Sequence, residues 1–427
     1  MPPRFFIIET ILSQIERVFK CLFLFDRFLH ILAKLVDFFD ISAIILKEIQ
    51  SSRVFMKNKG RIILAILKNN IVCVIAAIAA LTTMFFVPPD AEYIDYFDFK
   101  TLTCLFCVLA VVCALRNIRF FYTLAKKIVQ RFGNLRLAVL ALVYITFIGS
   151  MLIANDMALL TFLPLGFFVL HTTGKERYMA FTYIMQNIAA NLGGMLTPFG
   201  NPQNLYLYSK FNIPDGEFVL IMLPPFILSV ALITLCCFIF VKPEPLALEE
   251  DGYKTPLPRL IVYLLLFALS ILIVFRGIPY IVGLIVIPIA LLFLDRRALL
   301  NVDYGLLLTF CFFFVFSGNM GRIDAVREFF SLLLEKSTLV VSALSCQVIS
   351  NVPSAILLSQ FTDNYRELLL GVNIGGAGTL IASLASLITF RAYTSTNPGK
   401  SGSYILKFSA FNFAFLGILL VFCSLFI

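Results

Sequence analysis

The sequence predicts an all-α polytopic membrane protein of two inverted repeats, each with a re-entrant hairpin and a broken transmembrane helix, and about 9–10 spanning helices besides the hairpins. Three observations predict it. Of 427 residues, 60% are hydrophobic and 14% charged, with mean hydropathy +0.95, which is more apolar surface than a water-soluble domain buries. Apolar runs of spanning length alternate with short polar stretches. Finally, a pair of polar interruptions recurs in the same order: Asn155-Asp156 before Asn191-Leu-Gly-Gly-Met-Leu-Thr197, then Ser350-Asn351 before Asn373-Ile-Gly-Gly-Ala-Gly-Thr379.

Residues 1–68 alternate charged and apolar positions at helical spacing and read as an interfacial amphipathic region, with one extra span as the rival reading. The first repeat covers 69–241. Residues 71–87 span, the acidic stretch 90–98 follows, and 102–115 span back. Residues 116–136 carry six Lys or Arg and no acid, and Phe120, Phe121, Leu124, Ile128 and Phe132 fall on one face of a surface helix. The hairpin covers 137–170. Its second arm of about 13 residues reaches only about 20 Å against a hydrocarbon core of about 30 Å, too short to cross. A long helix over 178–211 is interrupted at 191–204, where three glycines, two prolines and four side-chain amides leave backbone groups that hydrocarbon cannot satisfy. Residues 218–241 span again.

The proline-rich, acidic segment 242–258 is the linker, and 259–427 the second repeat. Spans at 260–275, 279–294 and 304–317 precede a surface helix over 323–336 with Ile323, Val326, Phe330, Leu333 and Leu334 on one face. A hairpin over 338–360, a broken helix over 364–391 and a last span from 405 complete the order already seen in the first half.

The net charge of +9 comes from loop residues rather than one basic stripe, so it marks membrane sidedness and not nucleic-acid binding. With the N-terminus and alternate loops in the cytoplasm, 27 of the 34 Lys and Arg lie inside, and the two hairpins dip from opposite faces. No removable signal peptide is read over 5–25. Cys104 and Cys107 form the only Cys-x-x-Cys, inside a span without a second pair, and His30 and His171 lie away from the breaks, so no resident metal or cofactor is expected. Arg322 and Asp324 read as an interfacial pair, with Asn319 beside an outer vestibule. No His-Glu-x-x-His, nucleophile elbow or pair of intramembrane acids is present, so an enzyme is not expected.

The tips and breaks should converge near the midplane, where helix ends offer N–H groups to an anion and carbonyls or amides to a cation. The candidate contacts are Asn155, Asp156, Thr197, Gly200, Asn201, Asn204, Ser350, Asn351, Asn373, Thr379, Ser383 and Ser386, with Gly193, Gly194, Gly375, Gly376 and Gly378 as the glycines of the breaks. Ser, Thr and Asn also join membrane helices by hydrogen bonds, so the weight rests on the repeated constellation rather than on one residue. Asp156 is the one acid inside an apolar segment: a proton carrier or cation ligand, or a cap for the helix beginning at Met157.

At these motifs the chain resembles the ion transporter superfamily, which holds divalent anion:sodium symporters, citrate and arsenite permeases and some sodium/proton antiporters. The likeness covers roughly residues 70–427. Ala154-Asn155-Asp156 and Ser350-Asn351-Val352 lie where the symporters carry Ser-Asn-Thr tips, and Gly200-Asn201-Pro202-Gln203-Asn204 is similar to their Gly-Thr-Pro-Pro-Asn loop. Asn-Asp at the first tip is more similar to the arsenite permeases. The resemblance implies a membrane-embedded homodimer, in the cell (inner or plasma) membrane, that moves a small anion by an elevator motion, coupled to H+ or transient Na+. Asn155, Asn351, Thr197, Asn204 and Thr379 would line the site.

Overall fold

A computed structural model describes residues 71–246 and 256–426. The N-terminal amphipathic region and most of the 242–258 linker lie outside the described residues. Among the described residues the chain is helical, and the one extended pairing is an isolated antiparallel bridge between Asn134 and Pro245. Among the described residues two compact units form: 71–97 with 308–324, and 98–246 and 256–307 with 325–426.

α1 (Ile71–Met84) occupies the predicted first span. α2 (Phe99–Asn117) starts at Asp98, whose carboxylate accepts the N–H of Thr101 at 2.9 Å, an N-cap. Arg119, with φ 53°, separates it from α3 (Phe120–Val129). α3 is shorter than the basic stretch that predicts it. It buries Phe121, Ala125 and Val129 and leaves Leu124 and Ile128 exposed. α4 (Leu135–Ile153) and α5 (Asn155–Thr172) form the first hairpin. Here α5 differs from expectation. It runs 18 residues instead of about 13, because the helix starts at Asn155 and continues unbroken through Pro164 to Thr172, so length alone does not prevent this arm from crossing. α6 (Met179–Gly193) and α7 (Pro202–Lys210) are the halves of the first broken helix, joined by a 3-10 turn over Gly194–Leu196 and an extended loop. α8 (Asp215–Phe240) closes the first half.

The second half holds α9 (Leu257–Val274), α10 (Tyr280–Leu294), α11 (Arg296–Leu300), α12 (Tyr304–Gly321), α13 (Asp324–Lys336), α14 (Thr338–Ile349), α15 (Asn351–Leu358), α16 (Tyr365–Ile374), α17 (Leu384–Thr396) and α18 (Ser401–Phe426). α13 turns by 120° into α14 at Ser337, whose hydroxyl accepts the N–H of Val340. Its less exposed side holds Val326, Phe330, Leu333 and Leu334 as predicted, with Phe329 and Leu332 exposed. Surface helix, hairpin, broken helix and final span thus occur twice in the same order. Among the described residues, seven helices are individually long and apolar enough to cross a membrane, or eight if the bent pair counts as one. The sequence predicts more because α1 and α10 are short and each broken helix is split in two.

In the first unit, Tyr93 is buried and donates to the carbonyl of Val87 at 2.5 Å. Arg322 is held by the acidic stretch: Asp90 at 2.6 Å, Glu92 at 3.5 Å and the Tyr96 hydroxyl at 3.1 Å. Its guanidinium keeps the Asp90 carboxyl below the usual carboxylate range. Asn319 is fully buried and donates to Thr83 Oγ1 at 3.1 Å. It ties two helices instead of lining a vestibule.

In the second unit α4 packs along α6 and α14 along α16, while the repeats interlock: α7 lies against α15 and α16, and α17 against α5 and α6. The base of the first hairpin is fixed at the C-terminal end of α8. Leu135 N–H donates to the Glu244 carbonyl at 2.8 Å, and the Glu244 carboxylate binds Lys175 at 2.7 Å, Tyr178 at 3.0 Å and Arg177. The base of the second lies at the N-terminal end of α8, where Glu217 binds Arg366 at 2.6 Å and Tyr365 at 2.8 Å, and Glu367 accepts the N–H of Leu339 at 2.9 Å. Lys175, followed by Tyr178 and Arg177, holds the Glu244 carboxyl below its ordinary range. A depressed carboxyl contributes stability above its unfolded value of about 4.3, lost as pH falls through the folded value. Glu244→Gln should therefore lower the melting temperature slightly at pH 7, and the difference from the parent protein should shrink below about pH 4, read by thermal unfolding in detergent.

Candidate functional site

The site begins with two strained turns. Ala154 (φ 67°, ψ 152°) and Ser350 (φ 76°, ψ 159°) share a conformation that is nearly exclusive to glycine and costs about 1–3 kcal/mol each. It lets each hairpin reverse within one residue and aim the next residue into the protein. The two tips then repeat each other atom for atom. The Asn155 Oδ1 accepts the N–H of Asp156 at 2.9 Å, and the Asn351 Oδ1 that of Val352 at 2.9 Å. The Asn155 N–H donates to the Gly200 carbonyl at 3.1 Å, and the Asn351 N–H to that of Ala382 at 2.9 Å. The Thr197 hydroxyl donates to the Met151 carbonyl at 2.7 Å, and the Thr379 hydroxyl to that of Gln347 at 3.0 Å. Each tip is thus stitched to the break of its own repeat.

The breaks meet in a buried cluster of amides. Asn155 Nδ2 donates to Asn191 Oδ1 at 3.3 Å, and Asn201 Nδ2 to the Asn191 carbonyl at 3.2 Å. Across the repeats, Asn373 Nδ2 donates to Asn204 Oδ1 at 2.6 Å, and Asn373 Oδ1 accepts from Asn201 at 3.1 Å and Gln203 at 3.5 Å. A Cβ on Gly376 would lie 3.3 Å from Asn351 Nδ2 and 3.6 Å from Asn191 Oδ1, so the second tip and the first broken helix approach one stretch of backbone. Asn155, Asn191, Asn201, Gln203, Asn204, Asn351 and Asn373 are all buried. Four helices, α5, α7, α15 and α17, begin beside these breaks, so the positive ends of their dipoles lie here.

The predicted residues divide into those that meet here and those otherwise engaged. Asn155, Thr197, Gly200, Asn201, Asn204, Asn351 and Asn373 meet, while Thr379 bonds Gln347 through its N–H and hydroxyl. Ser383 and Ser386 bond each other at 2.9 Å, and Ser383 caps α17 by accepting the Ser386 N–H. Ser350 donates to the Ala382 carbonyl at 3.3 Å. Asp156 does not cap α5. It sits in the first turn, Asn155 takes its N–H, and its buried Oδ1 has no hydrogen-bond partner. Asn191 Nδ2, Asn201 Oδ1 and Gln203 Oε1 are likewise buried without partners, polar atoms left for a solute or water to satisfy. Gly193 and Gly375 let α6 and α16 press against α4 and α14. His171 is exposed, stacks on Phe167 and bonds Glu176 at 3.0 Å, apart from the cluster. Cys104 and Cys107 are buried free thiols of α2.

Sequence reasoning missed Gln347, Asn191 and Gln203 as site residues. Gln347, four residues before Asn351 and the one side-chain amide on its arm, has helical spacing to the tip as its signal. Asn373→Leu should remove the partner that Asn201, Gln203 and Asn204 share at the start of α7, at about 1–3 kcal/mol for each buried group left unpaired, and markedly lower the melting temperature of the purified protein.

The profile of the citrate transporter family matches residues 61–364. The chain is 33% identical over 302 residues to a Methanocaldococcus jannaschii protein named as an uncharacterized transporter, covering 70% of this chain and 82% of that one. It is 29% identical over 316 residues to the inner membrane protein YbiR of Escherichia coli strain K12, covering 72% and 83%. Gathered tips, broken helices and this match over most of the chain agree: the protein belongs to the citrate transporter family and is an integral membrane transporter.

Proposed function

We propose that the protein is a secondary active transporter of a small anion, a carboxylate or an inorganic oxyanion, driven by a proton or sodium gradient. The observation that carries this reading is the gathering of four helix N-termini around buried amides with unpartnered atoms, beside one carboxylate. N-termini and amide N–H groups favour an anion, and Asp156 supplies a group for the coupling cation. Two repeats opening from opposite faces would give alternating access, and the elevator motion of a homodimer is the form the resemblance implies. Anchoring of the hairpin bases at opposite ends of α8 supports that inversion. Loop charges support a cytoplasmic N-terminus, and the E. coli relative's name supports the inner or plasma membrane.

Uptake into proteoliposomes tests it. Labelled citrate, then a panel of carboxylates and oxyanions, should accumulate above equilibrium under an inward proton or sodium gradient. Accumulation of none of them under any cation gradient would overturn the proposal. The free Asp156 oxygen also favours a second reading, a sodium/proton antiporter, in which sodium-driven proton flux occurs without any anion and disappears in Asp156→Asn.

A further inference from the structure

One carboxamide in the second half stands where a cation would. Gln347 Nε2 lies 3.0 Å from the Ala343 carbonyl oxygen, 2.8 Å from that of Gly375 and 3.2 Å from that of Ala377. Three carbonyl dipoles converge on a nitrogen with only two hydrogens to give. Converging carbonyls are how proteins hold a dehydrated monovalent cation, and here the positive end of an amide takes that position. Its orientation is fixed from the other side, since Gln347 Oε1 accepts the Thr379 N–H at 2.8 Å. The backbone is shaped to permit this. Gly378 adopts φ 130°, and a Cβ there would collide with Gln347 Oε1.

The position matching Gln347 in the first half is Met151, whose thioether has no hydrogen to donate. There Asn204 does the equivalent from α7: its Nδ2 lies 3.2 Å from the carbonyls of Gly194 and Met195 and 3.3 Å from that of Thr197. Gln347 is closer to its tightest partner and reaches across from the hairpin, whereas Asn204 belongs to the broken helix itself.

We propose that the Gln347 carboxamide is a built-in replacement for a monovalent cation, so that the second half binds no sodium ion and coupling falls to the carboxyl group of Asp156 in the first. The consequence for coupling rests on the cation-driven reading above. The cage itself is tested without transport, so a failed uptake assay and a failed cage remain separate results.

Thermal unfolding of the full-length protein in detergent, in sodium chloride against choline chloride at equal concentration, decides it. The parent protein sets the baseline, any sodium response it shows being that of Asp156 in the first half. Gln347→Ala, its carbonyls freed, melts lower in choline and regains about 5 °C or more in sodium. Equal melting of Gln347→Ala in both salts overturns the proposal, as does a sodium-specific rise in the parent protein that Gln347→Ala loses. If Gln347→Ala yields no folded protein, Gln347→Glu carries the test. Its carboxylate cannot donate to the carbonyls, so folded protein is recovered in sodium and not in choline, and equal recovery contradicts the cage.

Discussion

Asp156→Asn is expected to leave the fold intact and to lower gradient-driven accumulation by about tenfold or more. The substitution keeps the shape of the side chain and leaves the Asp156 N–H bonded to Asn155, so the tip retains its geometry. What it removes is the one carboxylate at the cluster, whose Oδ1 is buried and has no partner. Hydrogen bonds to charged groups contribute about 1.5–3 kcal/mol, and about 1.4 kcal/mol is a factor of ten. Exchange of internal for external substrate needs no net cation movement, so counterflow should persist in Asp156→Asn while accumulation is lost. Undiminished accumulation in the variant would exclude Asp156 as the coupling group.

Gly193→Ala should produce a large loss of stability for a single added methyl group. A Cβ there would collide with the Phe147 carbonyl and lie 2.7 Å from Ser150 Oγ. The backbone oxygen cannot rotate away, so α4 and α6 must separate. Overpacking of this kind costs about 1–3 kcal/mol and can exceed it. Gly375→Ala meets the Ala343 backbone and Cys346 Sγ, both at 2.9 Å, and should behave similarly. Gly417→Ala is the control: nothing lies within 4 Å of its Cβ, and replacing a helical glycine gains up to about 1 kcal/mol. Melting temperatures of the three variants in one detergent give the comparison.

The tips and breaks were legible because polar residues inside apolar segments are costly, so each one marks a place where the chain needs it. The same logic exposed the duplicated order of elements, since Asn, Gly, Gly and Thr recur at one spacing after each tip. Asp156 stood out for its charge, but its freedom from hydrogen bonds could not be read, because sequence does not say which neighbour takes the Asp156 N–H. α5 came out short because its apolar run fades at Leu170, while the helix itself persists to Thr172. Ala154 and Ser350 carry no glycine to advertise their positive φ. Gln347 carries no signal in the sequence beyond its spacing to the tip, since the three carbonyls it serves come together only when the break packs against the hairpin arm.

The claim that one anion site is built jointly by the two tips is tested most directly by a double-mutant cycle on uptake. The half-saturating concentration of the transported anion would be measured for Asn155→Ala, Asn351→Ala and the double variant. A shared site predicts that each single change raises it about tenfold and that the double change falls well short of the product, because neighbouring contacts to one ligand are not additive. An effect confined to one asparagine, or strict multiplication of the two, would contradict a site formed by both halves.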